Sequence, residues 1–145
     1  MMKTTHPTPL RKNSDAKFKI GGKVSCGFPS PAYDHQQPEL SLDQLVGLGP
    51  RSSLFILEAA GDSMRDHGIY DGDALVVDKA KEAKEGDIVV AVIDSEFLVK
   101  QVGRMADGTP ALISGNAAYP PIAIGEDQSL LIWAVCTWNL HRLSK

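Results

Sequence analysis

From residue 54 onward the sequence breaks into short apolar runs separated by polar turns, which restricts the chain to a fold built from many short strands. The runs are Leu54 to Ala59, Ala74 to Asp78, Ile88 to Ile93, Glu96 to Val102, Ala111 to Ser114 and Leu130 to Trp138. Asp71-Gly72-Asp73, Gly86-Asp87, Asp94-Ser95 and Asp107-Gly108 lie between them as turns. Such a pattern predicts a mostly β domain of curled, mainly antiparallel sheets, closed or nearly closed into a barrel. Ile88 to Ile93 and Phe97 to Val102 pair most simply as a hairpin through Asp94-Ser95. Alternation along the second strand then puts Lys100 on the same face as Leu98 and Val102, an ammonium among apolar neighbours.

The part before residue 54 reads differently. Ser41-Leu42-Asp43-Gln44 is a capping-box pattern running into Leu45, Val46 and Leu48, with Gly47 or Gly49 placed to stop it, and predicts a helix of about two turns. Residues 1–25 hold few large apolar groups, are broken by Pro7, Pro9 and Gly21-Gly22, and read as a flexible arm. In Cys26-Gly27-Phe28-Pro29-Ser30-Pro31 the prolines bias the backbone toward extended conformations, which is what a protease cleft binds. The expected organisation is therefore a flexible basic arm over 1–26, an extended linker over 27–40 and one β domain over 41–145.

Charge and cysteine content narrow the classes of function. The net charge of −3 combines a basic arm with an acidic body, so a folded basic face for sequence-specific DNA binding is not expected. Cys26 and Cys136 have no neighbour at metal-ligand spacing and suggest neither a zinc site nor a disulfide framework, which suits a reducing cytoplasm. His6, His35, His67 and His141 lack the paired spacing of a metal helix, and Asp71-Gly72-Asp73 reads as a turn rather than a calcium loop. No stretch approaches the roughly 20 apolar residues that span a bilayer, and no apolar signal segment follows Lys3, Arg11 and Lys12. Neither a metal, a cofactor nor a membrane partner is expected.

Two residues invite a chemical reading. A lysine in apolar surroundings loses the solvation of its charged form, so its pKa falls and a free amine becomes available as a base. A serine hydroxyl beside that amine is activated without any histidine. Ser63, in Ala60-Gly61-Asp62-Ser63-Met64 just past an apolar run, is the candidate nucleophile, because the glycine permits a sharp turn and close approach of a substrate strand. Each residue alone has an ordinary explanation, Lys100 as a strand-edge cation reaching water and Ser63 as a turn residue. Asn116, Tyr119 and Trp133 read as turn and packing residues.

The motifs taken together carry more. Gly61-Asp62-Ser63-Met64, Gly68-Ile69, Asp71-Gly72-Asp73, Glu85-Gly86-Asp87-Ile88-Val89, Glu96-Phe97-Leu98-Val99-Lys100 and Ser114-Gly115-Asn116-Ala117-Ala118-Tyr119-Pro120 occur in one order. In this the chain resembles the LexA and UmuD family of self-cleaving serine proteases, over most of residues 26–138 and with a similar separation between Ser63 and Lys100. The resemblance implies the family's C-terminal-domain fold, Ser63 as nucleophile, Lys100 as general base, and cleavage of the Cys26–Gly27 bond. It also implies an oxyanion site at backbone N–H groups, of Ser63 and of a neighbour for which Met64 is the candidate. LexA-type repressors place a helix-turn-helix domain before the cleavage site, and 26 residues are too few for one, so a UmuD-like subunit is expected. UmuD-like character implies a homodimer, cleavage stimulated by RecA filaments on single-stranded DNA, and assembly with a UmuC-type polymerase for error-prone translesion synthesis in the SOS response. The alternative is a binding module that docks a polymerase or RecA without cleavage.

Overall fold

The computed structural model describes residues 1–10, 18–19, 39–49, 53–125 and 130–144. The chain divides into two units, Met1–Leu10 with Ser53–Lys145, and Arg11–Ser52. In chain order the strands are β1 (Lys3–Thr4), β2 (Thr8–Pro9), β3 (Phe18–Lys19) and β4 (Glu39–Leu40), followed by helix α1 (Leu42–Leu45). Then come β5 (Leu54–Ala60), a 3-10 turn at Arg65–His67, β6 (Ala74–Asp78), β7 (Ile88–Ile93), β8 (Glu96–Arg104), β9 (Pro110–Ile113), β10 (Ile122–Ala123) and β11 (Leu130–Leu140).

In the smaller unit β3 and β4 form an antiparallel pair, with Phe18 opposite Leu40. Helix α1 begins with the expected box: the Gln44 N–H donates to the Ser41 hydroxyl at 3.1 Å, and the Ser41 N–H donates to the Gln44 side chain at 3.0 Å. It ends after a single turn, shorter than expected, because Gly47 at φ +86° takes the chain into the left-handed region.

The larger unit is one antiparallel sheet in the order β1-β5-β6-β11-β7-β8-β9-β10, and β1 also pairs with β8. That second pairing closes the strands from β5 to β8 into a barrel with β1 as the last stave. Two register shifts in β11, between Ile132 and Ala134 and between Cys136 and Trp138, let one long strand bend and pair with β7 along its first half and β6 along its second. Side chains alternate between two cores: Val90 packs with Leu57, Met64, Val77 and Val99, while Val89 and Ala91 pack with Leu112 and Val135. Burial on both faces explains why Ile88 to Ile93 reads as a continuous apolar run rather than an alternating one.

The expected barrel-like β fold is present, and the expected strands match within about two residues at each end. The first ten residues depart from the sequence reading. Instead of extending as a flexible arm they supply β1 and β2, which pair with β5, and β1 reaches β8 as well. Nothing in their composition foretold this; the two unpaired edges of β5 and β8 hold them.

Candidate active site

Ser63 lies in the tight turn that follows β5, and its side chain is fully buried. The turn starts at Gly61, whose φ of +106° is open to glycine, and whose N–H donates to Asp71 Oδ1 at 2.9 Å. A Cβ at Gly61 would stand 2.8 Å from the Met1 carbonyl oxygen, so only glycine lets a strand lie this close. Met64 anchors the far side of the turn in the core at 0% exposure. Among the described residues neither the Ser63 nor the Met64 backbone N–H donates to a protein acceptor, which leaves both free for an oxyanion.

Lys100 is on β8, paired opposite Val89 on β7, and it too is fully buried. Burial holds its pKa below the ordinary 10.5, because removing the ammonium from water disfavours the charged form. The amine nitrogen donates to the Ser114 hydroxyl and lies 5.8 Å from the centre of the Tyr119 ring. The register explains the first contact. Gln101 pairs with Ile113 on β9, so the next position sets Lys100 opposite Ser114 on the same face.

A loop after β9 ties the two halves together. The Asp66 N–H donates to the Gly115 carbonyl at 2.8 Å, the Gly115 N–H to the Met64 sulfur at 3.3 Å, and the Asn116 side-chain amide to the Asp62 carbonyl at 3.3 Å. A Cβ on Gly115 would come within 3.1 Å of Met64 Cα and 2.5 Å of the His67 ring, so glycine is required where the loop presses on the serine turn. Tyr119 donates its hydroxyl to Asp62 Oδ1 at 2.9 Å, and that bond keeps the phenol protonated above its ordinary range. Ser63 and the Lys100 strand are further joined through one residue: the Met2 N–H donates to Ser63 Oγ at 2.6 Å, and the Val99 N–H donates to the Met2 carbonyl at 3.1 Å.

Ser63, Met64 and Lys100 are all buried, with Ser63 tied to the Lys100 strand through Met2, whereas Cys26 and Gly27 lie outside the described residues. Sequence reasoning passed over Ser114 and set Asn116 and Tyr119 aside as turn and packing residues. The signal for Ser114 was its spacing: it stands as far beyond the Asp107 turn as Lys100 stands before it, the symmetry of a hairpin. Trp133 is a packing residue, edge-on to Phe55 and Phe97 at 4.9 Å and 5.8 Å. Burial pushes the Cys136 thiol up to about 12, which keeps it in the protonated, weakly nucleophilic form. No helix among the described residues is long and apolar enough to cross a membrane.

A serine paired with a neutral lysine can run acyl transfer without histidine, and the serine turn offers N–H groups that could take up the developing charge. Residues 19–137 match the model of the Peptidase S24-like family. Protein MucA of Salmonella typhimurium is 40% identical over 119 residues, spanning 81% of this chain and 80% of its own length. Protein ImpA of Escherichia coli is 32% identical over 150 residues, spanning 97% of each chain. The LexA repressor of Alcanivorax borkumensis is 35% identical over 117 residues, which is 81% of this chain and 56% of the repressor. Family match, fold and relatives agree: the chain belongs to the Peptidase S24-like family, as a UmuD-like member of the LexA and UmuD group of self-cleaving proteins.

Proposed function

We propose that the chain is a serine endopeptidase whose substrate is its own Cys26–Gly27 bond, and that the shortened product serves translesion DNA synthesis. The observation that carries this reading is Lys100, a fully buried lysine aimed at a hydroxyl, on the strand whose neighbouring residue is bridged by Met2 to Ser63. Among the described residues Lys100 has no acidic partner, burial of this kind is costly for an ammonium, and a base is the role that needs a lysine kept neutral.

In the reaction, neutral Lys100 takes the proton from the Ser63 hydroxyl as Oγ adds to the Cys26 carbonyl carbon. The oxyanion forms against the Ser63 and Met64 N–H groups. As the C–N bond breaks, the Lys100 ammonium returns its proton to the Gly27 nitrogen, leaving an ester between Cys26 and Ser63. Water, deprotonated by Lys100, then hydrolyses the ester and frees the Cys26 carboxylate. The thiol of Cys26 takes no part. RecA bound to single-stranded DNA is the proposed stimulus, acting by favouring the conformer in which the cleavage segment lies in the cleft. The proposed product is a cytoplasmic homodimer that joins a UmuC-type polymerase.

Mass spectrometry after incubation with RecA, an ATP analogue and single-stranded DNA tests the reading. Loss of residues 1–26 is expected, with Ser63→Ala and Lys100→Ala both retaining the intact mass. Intact wild-type chain under those conditions, with RecA bound, overturns the protease reading in favour of a module that docks without cleaving.

A further inference from the structure

The site is already filled, and by this chain's own first residues. Without β1 the ring β5-β6-β11-β7-β8 would leave two open edges, one leading to Ser63 and the other carrying Lys100. Strand β1 lies between them, with Lys3 opposite Ala60 on one side and opposite Leu98 on the other. The Thr5 N–H donates to the Glu58 carbonyl and the Leu10 N–H to the Leu54 carbonyl, each at 3.0 Å, extending the pairing along β5. Side chains add specific contacts. Met2 is wholly buried in the core with Met64 and Val99, Lys3 pairs with Glu96 at 3.2 Å, and the His6 ring packs on Phe97 at 5.5 Å.

At the serine the strand offers the wrong group for attack. Ser63 Oγ accepts the Met2 N–H, so one of its two lone pairs is taken and a backbone N–H, not a carbonyl carbon, stands against the hydroxyl. Lys100, meanwhile, donates to Ser114. Backbone pairing to a sheet edge is the general way an extended peptide is held, and it accepts one strand at a time. On the self-cleavage reading, a segment presented to Ser63 as an extended strand would compete for the same edges.

We propose that residues 1–10 are a built-in strand plug, which docks between β5 and β8, occupies Ser63 and competes with the cleavage segment of the chain for the cleft. The competition, though not the docking, rests on the self-cleavage reading above. Residues 1–10 thereby set how much of the protein is competent: a plug in place nine-tenths of the time slows cleavage roughly tenfold.

The test uses the full chain and two variants. Met2→Asp puts a charge in an apolar pocket and should eject the plug. Thr5→Pro deletes the N–H bonded to Glu58 and should loosen it while leaving Met2 intact. By amide hydrogen exchange, Val99 should be protected in the wild type and exposed in Met2→Asp, with Val90 protected in both as a check on the barrel. Self-cleavage at alkaline pH should rise roughly tenfold in Met2→Asp and by a smaller factor in Thr5→Pro. Equal exchange at Val99 in the wild type and Met2→Asp overturns the docking, whatever happens to cleavage. Exposed Val99 without faster cleavage, while Ser63→Ala still blocks it, overturns the competition alone. If no chain cleaves itself, the self-cleavage reading fails, and plug-dependent protection of Val99 still supports the docking.

Discussion

Lys100 carries a cost that the rest of the barrel must bear, and its surroundings say how it is used. Its pKa is lowered by burial, so the basic amine grows as pH rises through a value below 10.5. Self-cleavage should therefore rise with pH and level off before the ordinary lysine range, and a rate that is flat with pH would contradict a lysine base. Ser114 enters here as a positioning residue, since its hydroxyl takes a hydrogen bond from the amine. Ser114→Ala removes an acceptor that favours the ammonium and fixes the side-chain direction. The plateau should fall by about tenfold, and the midpoint of the pH profile should move to lower pH. A drop in the plateau with the midpoint unmoved would assign Ser114 to packing. The sequence pointed to Ser63 and Lys100 through the family resemblance of several motifs together, but it did not single out Ser114, whose role depends on register.

At the scale of elements, the β7–β8 hairpin is the part most fully readable in advance, because a two-residue turn fixes register and register fixes faces. Its turn is strained: Asp94 and Ser95 sit at φ +49° and +67°, a region costly for residues with a Cβ. The double substitution Asp94→Asn with Ser95→Gly suits this turn and should raise stability by about 1 kcal/mol, read as a higher denaturant midpoint with unchanged slope. A lower midpoint would mean the present side chains support the turn in some other way. Helix α1 was equally legible at its start, through Ser41 and Gln44, and less so at its end, since either of two glycines could stop it. Strands β1 and β2 were not legible at all. Thr4 and Thr8 favour strands, but each stands beside a Lys or Pro that does not, in a segment of two residues, and these become strands only because two edges are waiting.

Across the whole molecule, the end of β11 is fastened to the loop before β6 by one buried carboxylate. Asp73 accepts from the Tyr70 N–H at 2.8 Å and from the Asn139 side chain at 3.0 Å, and its other oxygen meets His141 Nδ1. Burial alone would raise its pKa, but these hydrogen bonds outweigh that and hold it below 3.8. A carboxyl depressed in the folded state stabilises the fold above its unfolded value, and that contribution is lost as pH falls through the folded value. Asp73→Asn should cost about 1–3 kcal/mol near neutral pH and flatten the loss of stability in acid. An unchanged acid transition in urea melts would show that Asp73 is not the group responsible. Asp71-Gly72-Asp73 had been read from the sequence as a turn, and it is one; that its second aspartate would clamp the far end of the chain required the fold.

By itself the sequence determined the β class, the main strands and the capped helix, which follow from local pattern acting over a few positions. It nominated Ser63 and Lys100 only through the resemblance carried by several motifs together. The tertiary structure alone decided that Ser114 faces Lys100, that Asn116 and Tyr119 brace the serine turn, and that the first ten residues close the barrel over Ser63. The last two join residues 54 or more positions apart, and such contacts arise from strand edges and buried polar groups finding partners, which no local pattern encodes.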